Sequence, residues 1–234
     1  MRKTLVLGLV GLTAQALFAA ESGNKVASAS KQLGEKQNYS WTMTTKEADG
    51  SSGRLGPVDG KADKGGLTYL TFSVSDVPVE VYMKGEKGTA KGLEGWQTFD
   101  EIAQTSGTAA AVVRFLRAYK APVAQSASLA EKAKELKEAD GALSGELKED
   151  AVKDLLLMGG RRRGGLDEPK IEGAKGSVKF WIKDGVLTKY ETKVQGKVTA
   201  GDRENDVDRT MTVEIKDAGT TKLEVPDEAK QKMS

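Results

Sequence analysis

Apolar and polar residues alternate over long stretches at both ends of the chain, and this period predicts strands. From Asn38 to Lys46, Tyr39, Trp41 and Met43 share one face while Ser40, Thr42 and Thr44 take the other. Leu67 to Ser75 repeats the pattern with Leu70, Phe72 and Val74, and Val79, Val81 and Met83 then alternate with Glu80, Tyr82 and Lys84. Asp49-Gly50-Ser51-Ser52-Gly53 marks a loop, Asp76 to Pro78 a break, and Gly85 to Gly88 a turn toward Trp96.

The period lengthens in the middle. Ala109 to Tyr119 is apolar nearly all round, with Val112, Val113, Phe115 and Leu116, which predicts a helix lying against the sheet and ended by Pro122. Ser128 to Asp140 predicts a more charged helix with Leu129, Ala133 and Leu136 on one stripe. Leu143 and Leu147 flank Gly145 in a short strand. Glu149 to Met158 is a third helix, its two acids placed where the positive end of the dipole favours them. Gly159-Gly160-Arg161-Arg162-Arg163-Gly164-Gly165 follows. A short basic patch without interleaved aromatics reads most simply as a solvated loop; the functional alternative is an anion-binding loop of Arg161, Arg162 and Arg163. Its spacing is not that of a phosphate-binding loop, because no Gly-Lys-Ser/Thr closes it.

The last quarter alternates most strongly. Val178, Phe180 and Ile182 precede a turn, and Val186, Thr188, Tyr190, Thr192, Val194 and Val198 follow it. A two-residue loop at Asp184-Gly185 sets Phe180 against Lys189. A three-residue loop, Lys183-Asp184-Gly185, sets Ile182 against Val186 and Phe180 against Thr188, so apolar faces match. The expectation is therefore a type I turn with Gly185 left-handed as a bulge. Thr199 to Asp206 reads as a polar loop. Val207, Arg209, Met211, Val213 and Ile215 form the next inward face, and Leu223 and Val225 end a last strand before a helix start at Pro226. Strands and helices in blocks predict an α+β fold: an open, curved antiparallel sheet with one apolar face covered by the middle helices.

Composition narrows what this fold can do. The chain has neither Cys nor His, which excludes disulfides, a lipidation thiol and the usual nucleophile–base pairs and transition-metal ligands. No cofactor and no catalytic residues are expected, since no pair of carboxylates stands out by spacing. Arg2-Lys3, the apolar run Leu5 to Leu17 and Ala19-Ala20 read as a secretory signal too short to span a bilayer. The expected organisation is a signal over 1–20, a flexible lead-in or short helix over 21–37, and one domain over 38–234. The chain carries 36 basic and 34 acidic residues. Loss of Arg2 and Lys3 with the signal makes them equal, which removes the charge argument for a nucleic-acid partner.

Gly176-Ser-Val-Lys-Phe-Trp-Ile-Lys-Asp-Gly-Val-Leu-Thr-Lys-Tyr190, followed by Lys222-Leu-Glu-Val-Pro-Asp-Glu-Ala229, resembles the C-terminal hairpins of LolA-like proteins. These include bacterial lipoprotein carriers and mycobacterial envelope lipoproteins. The resemblance implies an open half-barrel with helices on its concave side and an acyl chain or lipid held between them. This chain lacks the Cys of the anchored members, and the carriers' functional residues have no matching motif here. The expected function is an exported, periplasmic or extracellular protein, neither lipid-anchored nor membrane-spanning after signal cleavage, that binds an apolar ligand. Trp41, Met43, Phe72, Met83, Phe180, Tyr190 and Met211 are the candidate lining. The alternative is a structural or interaction module of the envelope with a protein partner and no cavity.

Overall fold

Three long alternating segments build the largest part of the sheet: β9 (Lys170–Lys183), β10 (Val186–Ala200) and β11 (Arg203–Lys216). The computed structural model describes residues 11–52, 56–74, 76–92, 94–157 and 169–233, the stretch 11–21 by its backbone alone. The N-terminal half adds β1 (Asn38–Glu47), β2 (Val58–Asp63), β3 (Leu67–Val74), β4 (Val77–Lys84), β5 (Lys87–Gly92) and β6 (Gly95–Thr98). A short hairpin, β7 (Lys137–Ala139) and β8 (Ala142–Glu146), completes the set. These eleven strands form one antiparallel sheet in the order β6-β5-β4-β3-β2-β1-β11-β10-β9-β8-β7. The end strands β6 and β7 do not pair, so the sheet is an open half-barrel. Pairing of β1 with β11 joins the two halves of the chain, with Trp41 opposite Ile215 and Met43 opposite Val213.

The turn between β9 and β10 differs from the expectation. Asp184 (φ 51°) and Gly185 (φ 77°) both take positive φ, as a two-residue type I′ turn requires. Lys183 then opposes Val186 and Ile182 opposes Leu187. A bulge at Thr188 shifts the register by one, so that Phe180 meets Tyr190 and Val178 meets Thr192. The apolar faces do match, but the bulge lies in the strand rather than the turn. The Thr188 hydroxyl donates to the Trp181 carbonyl at 3.1 Å within it.

Other boundaries differ for local reasons. The predicted polar loop Thr199 to Asp206 is the tip of the β10–β11 hairpin, whose ladder continues to Ala200 opposite Arg203. Polar composition there reflects exposure of both faces, not loss of pairing. The helix expected from Ser128 is α4 (Pro122–Lys132), which starts at Pro122 because proline suits the first helical position. It ends at Lys132. The chain then enters β7, and Asp140-Gly141 makes a second turn with positive φ at both residues. Strand β2 has no large apolar side chain beyond Val58 and was not anticipated. Leu223 and Val225 lie in an extended segment outside any strand, because β1 is already paired on both sides.

Helices α1 (Gly11–Gly34), α3 (Thr108–Ala118), α4 and α5 (Glu149–Leu157) contribute to the main core with the inner face of the sheet. Val26, Ala29 and Leu33 bury one stripe of α1, and its small residues let it approach α4, where Ser30 and Ser126 hydroxyls pair at 2.8 Å. Helix α5 sits on glycines: a Cβ on Gly176 would lie 2.8 Å from Val152, and one on Gly196 would lie 2.8 Å from Leu156. Two further helices, α2 (Phe99–Ala103) and α6 (Asp227–Met233), flank the β5–β6 edge. Among the described residues, no helix is long and apolar enough to cross a membrane.

Candidate functional site

All seven expected lining residues share the inner face. Trp41 opposes Gly60, and Gly60 opposes Leu70, two residues from Phe72. Met83 opposes Thr68. On the other side Met211 opposes Thr45 and Thr192, and Tyr190 opposes both Val213 and Phe180. Directly opposed residues project from the same face of an antiparallel sheet. Trp41, Phe72, Met83, Phe180 and Tyr190 are buried, and Met43 and Met211 are half-buried against the same core. Trp41 lies flat on β2 because Gly60 has no side chain; a Cβ there would fall 2.1 Å from the indole.

A polar set crosses this apolar interface at the α3–α4 junction. Trp41 Nε1 donates to the Tyr119 hydroxyl at 3.2 Å. The Tyr190 hydroxyl donates to Gln125 Oε1 on α4. Burial pushes the Tyr39 hydroxyl up to about 12, partly offset by the Val123 backbone. Burial also raises Tyr119, against the hydrogen bond from Trp41, and raises Tyr190 well above the ordinary tyrosine value, with Tyr119 and Tyr39 adding to it. The hydroxyls thus stay neutral donors and acceptors and fix the helices laterally over the sheet. Arg209, on the same face, donates to the Leu155 carbonyl at 3.0 Å. That carbonyl belongs to the last turn of α5, where the dipole favours a cation. The alternating pattern had marked Tyr39 and Arg209 only as inward strand residues, and nothing in it marked Tyr119 or Gln125.

The helices fill most of the space above this face. A cleft of about 420 Å³ opens at the rim, lined by Ala48, Glu172, Gly173, Gly196, Lys197, Asp206, Val207 and Asp208; none of the seven lines it. A recess of about 30 Å³ is bordered by Lys25, Glu138, Leu143, Phe180 and Ile182, and Phe180 alone of the seven reaches it. Among the described residues, no group of three or more acidic side chains is arranged to hold a metal ion. Arg161, Arg162 and Arg163 lie outside the described residues.

No family model matches the chain, and no curated protein does. Solved structures do. The chain is similar to lipoprotein LppX of Mycobacterium tuberculosis, at 12% identity and a TM-score of 0.48, over 88% of this chain and 99% of that one. It is also similar to LprF of Mycobacterium bovis, at 12% identity and a TM-score of 0.45, over 90% and 98%. A LolA superfamily protein of Nitrosomonas europaea aligns at 11% identity and a TM-score of 0.32, over 90% and 96%. The superfamily named by the last is the one that the Gly176–Ala229 segment resembles.

Proposed function

We propose that this is an exported, non-catalytic protein that takes up an apolar or acyl-chain ligand between its sheet and its helices. One observation carries the reading: a continuous apolar face is covered by helices that share no backbone ladder with it. Side-chain packing and a few hydroxyl contacts hold the cover, so it can separate from the face without breaking the sheet. The seven inner-face residues, Trp41, Met43, Phe72, Met83, Phe180, Tyr190 and Met211, then line the space, and the two half-buried methionines adapt to ligands of differing shape. Export rests on the N-terminal signal pattern. Cleavage after Ala20 leaves the buried residues Val26, Ala29 and Leu33 of α1 in the mature chain.

The filled inner face favours a second reading, an envelope interaction module with no ligand. Solvent extraction of the purified protein followed by lipid mass spectrometry separates the two, together with uptake of a fluorescent fatty acid. Co-extracted acyl lipid or saturable uptake is expected. Clean protein with no uptake sinks the carrier reading and leaves the interaction module.

A further inference from the structure

The outer face carries a second, separate core. Tyr69, Tyr82 and Trp96 project from it as a row of rings, with centroids 4.8 Å and 5.6 Å apart. Lys61 and Lys91 lie over the two end rings at 5.9 Å and 5.8 Å. The C-terminal segment covers this row. Leu223, Val225 and Met233 pack on it, and Ala229 of α6 is fully buried there. The Tyr82 hydroxyl donates to the Glu224 carbonyl at 2.8 Å. Lys232 pairs with Glu101 at 2.7 Å, tying α6 to α2. None of these aromatic or strap residues belongs to the main core cluster.

The segment behaves as a docked strap. It adds no strand to the sheet, and a turn at Asp217 and Gly219, both at positive φ, starts it. From Asp217 to Val225 the extended chain reaches at most about 28 Å. The dock recognises an apolar-x-apolar pair, a free carbonyl between them, and a small residue on a short helix with a cation beyond it. This chain's own C-terminus has that chemistry, so a second copy has it too.

We propose that the aromatic row is an interaction surface for the strap of a second copy, giving a two-fold dimer by reciprocal exchange. Each dock is filled in cis at low concentration, because a tethered segment competes at a local concentration of roughly millimolar. Exchange needs only the turn at Asp217–Gly219 to open, and both main cores stay intact.

Complementation between full-length chains tests this. Ala229→Arg spoils the strap and leaves the dock; Trp96→Ala spoils the dock and leaves the strap. Each variant alone has no competent pair in cis. Mixed, the intact strap of one meets the intact dock of the other, and light scattering is expected to show twice the monomer mass, with each variant alone remaining monomeric. If both variants keep the cooperative melt of the main core and the mixture stays monomeric, the proposal is wrong. Should either variant fail to fold, Val225→Asp and Tyr82→Ala replace them as the strap and dock lesions, with the same two outcomes.

Discussion

Single glycines and aspartates decide whether large side chains find their places. Gly60 is the sharpest case, since a methyl group there would sit 2.1 Å from the Trp41 ring. Gly60→Ala should therefore cost about 3 kcal/mol by forcing the indole off its rotamer. A lower denaturant midpoint with an altered tryptophan emission is the expected result. Gly92→Ala is the control: nothing lies within 4 Å of its Cβ position, and little change is expected. The β9–β10 turn offers a test that separates its two possible forms. In a three-residue loop only Gly185 is left-handed, whereas here Asp184 is left-handed as well. Gly185→Val should destabilise in either case. Asp184→Val should also cost about 1–2 kcal/mol, because a β-branched residue resists positive φ. An unchanged melting temperature for Asp184→Val returns the turn to the three-residue form.

At the level of elements, close approach between helix and sheet is again set by missing side chains. Helix α5 rests on Gly176 and Gly196, and Arg209 holds its last turn. Gly176→Leu should lift α5 while leaving β1 to β4 in place. Hydrogen exchange is expected to speed up within Glu149–Leu157 and stay unchanged in those strands; uniform protection across both would mean that the seat does not matter. The alternating strands were legible in the sequence because their period is local: β1, β3, β4 and the ridge from Val178 to Ile215 all show it. Strand β2 was not, because Gly60 is there to make room for Trp41 and carries no apolar signal of its own. The strap looked like a strand because Leu223 and Val225 alternate, and only the pairing of β1 on both sides rules that out. The inner-face residues were likewise readable. Their helix partners were not, since Trp41–Tyr119, Tyr190–Gln125 and Ser30–Ser126 lie 78, 65 and 96 residues apart in the chain, beyond any local pattern.

For the whole molecule, the tyrosines report on both cores at once. The chain has five, and burial is the first cause of a raised hydroxyl in each: Tyr39, Tyr119 and Tyr190 inside, Tyr69 and Tyr82 outside. Tyr39 and Tyr69 rise to about 12, the latter helped by the negative charge of Glu80. In the unfolded chain all five titrate near their ordinary value of about 10. Above that pH the unfolded state releases protons that the folded state keeps. The unfolded state then binds fewer protons, so stability falls as pH rises. The contribution is fully present below about pH 10 and is lost progressively toward pH 12. Tyrosinate absorbance and far-ultraviolet circular dichroism, followed through the same alkaline titration, should therefore change together in one cooperative step above pH 10. Ionisation of several tyrosines near pH 10 with the circular dichroism unchanged would show that these rings are open to water, and neither core could then be packed as described. Trp96→Ala, which loosens only the outer row, should let Tyr69 and Tyr82 ionise earlier while the three inner tyrosines still wait for unfolding. That split would establish the two cores as separate cooperative units, the condition under which a strap can leave its dock without opening the half-barrel.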